Sequence, residues 1–319
     1  MKQEKKLLLF LLIVPTLAEL ISGSAPPSEY FHPVAFCMFV LLYGCGTLLI
    51  REAKVRWKLQ YGVIFLAVAY GIIEEGILVK SYFNPNWGDL EKISGYGMYL
   101  GTQWPWTIML TFFHGTVSTL IPITIAEYLW PDLSKTPVLA KRGYLWVIWG
   151  FSFVTIFGML TFGPGVGGKD TPFYPNLLLL IFSFIIVILL VRLANQSGGK
   201  KIISNNKILS PLNFGLAGFF VQMINLLLPN VCSGLKVPGI LTIFVQLIFS
   251  FLILKFVFNQ IYNKYITKYH IVSLVFGSVL FYALLGVLVE VLKGINGMMI
   301  VGIVTFLFML FWHRKVLKS

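Results

Sequence analysis

Apolar runs of about 17 to 25 residues recur along the chain near 6–23, 34–50, 60–79, 105–130, 144–163, 176–193, 211–230, 238–257, 271–292 and 295–312. Each is long enough to cross a hydrocarbon core of about 30 Å as a helix. Lipid leaves exposed backbone N–H and C=O groups unsatisfied, so a spanning chain is helical unless it closes into a barrel. The strict alternation of a barrel strand is absent. The pattern therefore predicts an all-α fold, a polytopic integral membrane helical bundle of ten transmembrane helices.

The polar segments between the runs set the orientation. Of the 25 Lys and Arg residues, 20 fall in one alternate set of segments: around Lys2–Lys6, Arg51–Lys58, Lys135–Arg142, Arg192–Lys207, Lys255–Lys268 and Arg314–Lys318. The other set holds only Lys80, Lys92, Lys169, Lys236 and Lys293. Positive residues stay preferentially on the cytoplasmic side, so both termini are expected there. One missed or extra helix would scramble this alternation.

Composition supports the same picture. With 57% hydrophobic and 12% charged residues, the chain carries more apolar surface than a water-soluble domain of its size can bury. A net charge of +13 would suggest nucleic acid in a soluble protein. Here the charge sits in membrane-flanking clusters, so the expected partner is the lipid bilayer and not nucleic acid. Cys37, Cys45 and Cys232 lack the spacing of a disulfide framework or zinc site. Residues 1–25 have the outline of a secretory signal, but Pro26 and Pro27 follow any cut, and the segment reads as an uncleaved first helix.

The chemistry is uneven. Eleven of the twelve acids precede residue 171, leaving Glu290 alone after it. Residues 1–130, helices one to four with an aromatic outer loop at 80–104, therefore read as the site-bearing part. Residues 131–319, helices five to ten, read as scaffold within one membrane domain.

Ionisable groups inside a bilayer are costly and mark pathways or sites. The third run contains Glu74 and Glu75 about one turn from its outer end, with Tyr70 and Gly71 a turn earlier. Successive helical residues point about 100° apart, so the two carboxylates are not expected to face one partner equally: one works, and its neighbour supports it or meets water. The fourth run sets Thr107, Thr111, His114 and Ser118 along one polar stripe. With Glu19 in the outer half of the first run, an outward-facing cluster of Glu19, Glu74, Glu75 and His114 is geometrically accessible. Carboxylates and an imidazole in low dielectric suit general acid–base work on water. They equally suit a divalent metal, or a structural pair that glues helices. Glu74, Glu75 and His114 are the catalytic candidates, with Glu19, Tyr70, Thr111 and Ser118 in support.

Weaker features complete the reading. YGCGT at 43–47 lets helices approach closely, Arg51 and Glu52 read as an interfacial salt bridge, Pro122 as a kink, and Glu127 as a solvated acid. In the outer loop, Asn84, Trp87, Asp89, Trp104 and Trp106 belong either to an interfacial aromatic belt or to a lid that binds substrate.

The strings AELISGSAPPSEYF (18–31), LLYGCGTLLIRE (41–52), AYGIIEEGILVKSYFNPNWGDL (69–90) and FFHGTVSTLIPITIAE (112–127) resemble an uncharacterised family of prokaryotic polytopic membrane proteins, over roughly the first 130 residues. That resemblance implies the cytoplasmic membrane of a prokaryote and no particular activity. A more distant resemblance is to intramembrane glutamate proteases of the CAAX-processing and bacteriocin-processing type. Glu74 and Glu75 match their glutamate pair, and His114 stands where the histidine of an FxxxH element would, with Leu110 in place of the phenylalanine. Val79 occupies the arginine position, and His32, His270 and His313 are not followed by asparagine at the fourth place. Three functions stay open: a membrane-embedded hydrolase acting on peptides or lipids, a proton-coupled transporter, and a non-catalytic binding or immunity-type protein.

Overall fold

The computed structural model describes residues 2–162 and 172–318; Lys169 and the end of the fifth apolar run lie outside them. The fold is all-α apart from a two-strand hairpin, Met98–Tyr99 with Thr102–Gln103. Among the described residues, ten main helices follow in order: α1 (Gln3–Pro15, continuing through Thr16–Ile21), α2 (Pro33–Arg56), α3 (Val63–Ile72, continuing through Ile73–Leu78), α4 (Trp104–Leu129), α5 (Lys141–Thr161), α6 (Leu177–Gln196), α7 (Pro211–Gly234), α8 (Gly239–Ile261), α9 (Lys268–Lys293) and α10 (Met298–Lys318). Among the described residues, eight of them are long and apolar enough to cross a membrane. The exceptions are α1, whose first turns carry Glu4, Lys5 and Lys6, and α3, which is short and holds two glutamates.

Burial sorts the helices. The most apolar stretch of α4 is 61% buried, whereas those of α5 and α6 are 11%. Hence α4 is the central post, and α5 and α6 turn Trp146, Trp149, Phe182 and Ile185 outward, where lipid can solvate them. One apolar core joins α1, α2 and α3 around Phe10, Leu48, Leu66 and Tyr70. A second joins α4 to α9 and α10 around Val117, Ile125, Tyr282 and Trp312.

Gly46 makes the first core possible, since a Cβ there would lie 2.4 Å from the Tyr70 ring and 2.8 Å from Phe151. The YGCGT segment thus provides the close approach its small residues predict.

Arg51 and Glu52 depart from expectation in their burial. The salt bridge forms, but the two residues are 1% and 0% exposed, inside the protein. Arg51 bonds Glu52 and the carbonyls of Leu133 and Thr136, while Glu52 also accepts from Arg56 Nε (3.1 Å) and the Val138 N–H (2.9 Å). Together they clamp the α4–α5 connection onto α2. Glu127 likewise is not simply solvated, because Lys54 Nζ lies 2.5 Å from it.

A lighter strap joins α1 to that connection. Lys6 donates to both oxygens of Asp132 at 2.7 and 2.8 Å, which holds the Asp132 carboxyl below the usual carboxylate range. Since the folded state depresses this acid, its contribution is present above about pH 3.9, the unfolded value, and fades as pH falls through the lower folded value. Asp132 is half exposed, so Asp132→Asn should cost at most ~1 kcal/mol near neutral pH. Unfolding titrations of the two proteins should converge below that window.

Candidate functional site

Local helix geometry builds the site. Among the described residues, wide π-helical turns occupy Thr16–Ile21 in α1, Val40–Gly44 in α2, Ile73–Leu78 in α3, His114–Leu120 in α4 and Val257–Ile261 in α8. The first four carry Glu19, Tyr43, Glu74 with Glu75, and His114 with Ser118. Such turns are uncommon in helices and cluster at functional sites. Here four of the five meet in one place.

Both glutamates face His114. Glu74 Oε2 lies 2.9 Å from Nδ1, and Glu75 Oε1 lies 2.9 Å from Nε2. The two do not face it equally: Glu75 hydrogen-bonds Nε2, whereas Glu74 Oε2 lies beside Nδ1 without a well-formed hydrogen bond. The imidazole presents nitrogens on two edges, and the widened turn of α3 lets adjacent residues straddle the ring. Gly71 permits the approach, because a Cβ there would lie 3.3 Å from the Thr111 backbone and 3.4 Å from His114 Cβ.

Around this triad, Ser118 Oγ is 3.1 Å from Nδ1, and Ser81 bonds Glu75 while accepting from Trp106 Nε1 at 3.0 Å. The Tyr43 ring stacks against the imidazole, 6.3 Å between centroids, and its hydroxyl bonds Glu19. Glu19 therefore joins the cluster through Tyr43. Tyr70 Oη and Glu74 Oε2 are both buried without a well-formed hydrogen bond. Glu74, Glu75 and His114 are 1%, 8% and 3% exposed, so all three are buried and Glu75 keeps the most contact with water.

Thr111 does not touch the triad: its hydroxyl lies 2.7 Å from Tyr82 Oη and donates to Thr107 O. Pro122 lacks the N–H that an α-helix would turn to the Ser118 carbonyl, and the Thr47 hydroxyl donates to that carbonyl at 2.7 Å. The predicted kink point is thus a junction between helices.

The outer loop folds as a cap. Gln103 ties it together, donating from Nε2 to Asn84 O (3.0 Å) and accepting from the Gly95 N–H (3.0 Å). Asn84 and Trp106 are interior to this cap, Trp87 donates to an exposed Asp89, and Trp104 sits at the rim, 38% exposed. The five loop residues therefore do not form one surface.

Lys80, Ser81, Tyr43 and Thr47 escaped sequence reasoning. Lys80 has φ of +66° and is buried, its ammonium 2.7 Å from the Met159 carbonyl at the end of α5. Burial draws that ammonium down to about 8. It anchors the segment that presents Ser81 to Glu75. Its only signal was a lysine immediately after an acidic helix.

A divalent ion is the obvious alternative occupant, since one donor atom from each of Glu74, Glu75 and His114 lies within 4.8 Å of the others. Catalytic ions generally take three protein ligands. In this arrangement the two carboxylates address opposite ring nitrogens, so an ion on either nitrogen would leave one carboxylate beside the other nitrogen. The set fits in chemical kind but not as a three-ligand cage.

No curated protein and no solved structure matches the chain, and the comparisons give no support to the glutamate-protease likeness. One family model matches residues 8–314, well beyond the first 130 residues on which the resemblance rested, and its description reads uncharacterized membrane protein family. A match over nearly the whole length means that the chain belongs to this family of membrane proteins.

Proposed function

We propose that the chain is a proton-coupled carrier in which Glu74, His114 and Glu75 take up and release the coupling proton. One observation carries this reading: a single buried imidazole sits 2.9 Å from two different carboxylates, one on each nitrogen. Glu75 hydrogen-bonds Nε2 and can exchange a proton with it directly, while Glu74 Oε2, close to Nδ1 but without a well-formed hydrogen bond, needs a small side-chain turn to do the same. Buried among the helices, the three groups hold a proton until the surrounding helices move.

Ten crossings with both termini in the cytoplasm complete the proposal, in a prokaryotic plasma membrane. The alternating basic segments support that topology. Within it, residues 1–130 supply the proton site and residues 131–319 the scaffold against which it moves. The central helix α4 separates the triad from a cavity that opens toward the basic segments, and a shift of α4 would expose the triad to that side.

The test is two-sided accessibility. In a background without Cys37, Cys45 and Cys232, Ser118→Cys should react with a membrane-impermeant maleimide from the cytoplasmic side at one pH and from the outer side at another. Labelling from one side only, at every pH, would sink the carrier reading.

A second reading, a membrane-embedded hydrolase, has one observation in its favour. Glu74 Oε2 and Tyr70 Oη, buried without well-formed hydrogen bonds, could hold a water for Glu74 to activate. Metal analysis of purified protein, with ester and peptide reporters, separates the two. The carrier reading expects substoichiometric metal and no turnover. One metal equivalent lost in both Glu75→Gln and His114→Ala, with turnover abolished, would favour the hydrolase.

A further inference from the structure

On the side of α4 opposite His114 and Ser118, helices α3, α4, α7, α8 and α9 enclose a cavity of about 390 Å³, within the ~300–1,000 Å³ of small-molecule sites. It follows α4 from Phe112 to Thr124, a depth of about 18 Å at 1.5 Å per residue. That volume spread over that depth is a slot suited to one extended chain.

The inner walls are apolar in effect. Leu120, Val221, Phe256 and Val275 supply hydrocarbon, and the polar side chains among them are already hydrogen-bonded within the protein. Gln222 Nε2 donates to Thr116 Oγ1 (3.2 Å) and Gln222 Oε1 accepts from Tyr282 (3.2 Å). Ser278 donates to Leu274 O and Thr124 to Leu120 O. A sugar or other hydroxyl-rich molecule would lose its hydration here without regaining hydrogen bonds.

The mouth differs. Lys54, Gln60 and Tyr262 line that end. Gln60 pairs through its side chain with both backbone groups of Ile202 (3.1 and 2.6 Å), and the Ser204 N–H donates to Tyr262 O (2.8 Å). The segment carrying Lys200, Lys201 and Lys207 is thereby held at the rim, and because Lys54 is already paired with Glu127, the charge available there to an anion comes from that segment.

We infer that this cavity binds a single-chain amphiphile with an anionic phosphate head, the chain lying along α4 and the head at the Lys200–Lys207 rim. Basic pockets between membrane helices recognise anionic lipid heads in this way, and the buried chain contributes through its apolar area. The inference goes beyond the carrier reading: occupancy requires no proton movement, and it is measured without turnover.

Native mass spectrometry of the full-length protein in detergent tests it, with oleoyl lysophosphatidic acid, oleoyl lysophosphatidylcholine and oleyl alcohol as probes. Wild type should retain one lysophosphatidic acid, at least tenfold more tightly than lysophosphatidylcholine. Ala217→Trp, which fills the cavity, should weaken that binding at least tenfold at an unchanged unfolding temperature. Lys200→Glu with Lys201→Glu, at two exposed positions, should weaken lysophosphatidic acid at least fivefold and leave oleyl alcohol within twofold. Undiminished binding by folded Ala217→Trp, or equal binding of the two lysolipids, would overturn the inference. Should Ala217→Trp not fold, the charge-reversed pair decides, and undiminished lysophosphatidic acid binding there overturns it.

Discussion

Glu52→Ala should destabilise the protein by about 3–5 kcal/mol, the usual consequence of removing one partner from a buried ion pair. Glu52 is wholly buried and engages Arg51, Arg56 and the Val138 N–H. Its loss leaves the Arg51 guanidinium, itself 1% exposed, with the Leu133 and Thr136 carbonyls as its remaining hydrogen-bond partners and only the more distant Glu127 and Asp132 to offset its charge. The same change frees the α4–α5 connection from α2. Detergent-phase unfolding of the single variants and of Arg51→Met with Glu52→Gln checks the mechanism. If the pair acts as a clamp, the double variant recovers much of the loss, because a buried ion pair replaced by neutral groups is often tolerated. Simple additivity of the single variants would mean that the two residues act separately.

His114→Leu should produce a loss of similar size, about 3–5 kcal/mol, for a related reason. It leaves Glu74 and Glu75 confronting a hydrocarbon side chain, with Ser81 the nearest compensation for Glu75. Adding Glu74→Gln and Glu75→Gln to His114→Leu should restore most of the stability. Failure of that rescue would mean that His114 matters for packing alone, through its contacts with Tyr43 and Phe113. Protection of backbone amides in α3 and α4, followed by hydrogen exchange, would report where the loss falls.

The sequence makes the helices legible because hydrophobic length is a one-dimensional property. Each long helix overlaps an apolar run, and the triad residues stand out because charge inside such a run is costly. What the runs cannot convey is helix geometry finer than a 100° period. The π-helical turn at Ile73–Leu78 brings both glutamates onto one imidazole, and nothing in the string IEEGIL distinguishes it from an α-helical turn. Tyr43 was hidden for a different reason: in YGCGT the glycines attract notice, and an aromatic in an apolar helix reads as core. Arg51 and Glu52 are legible as a salt bridge, but not their burial, because the connection that covers them is a loop without a pattern of its own. The outer loop was ambiguous between belt and lid because its tryptophans divide between interior and rim, as Trp106 and Trp104 do.

The triad as a proton-binding element is the central claim, and transient charge movement tests it without knowledge of a cargo. Proteoliposomes adsorbed to a solid-supported membrane would be given a rapid pH jump, with wild type compared to Glu74→Gln combined with Glu75→Gln. A brief capacitive current in wild type, lost in a double variant that still folds and reconstitutes, is the predicted result. Identical transients in the two proteins would contradict the account and leave Glu74, His114 and Glu75 as a structural pairing of α3 with α4.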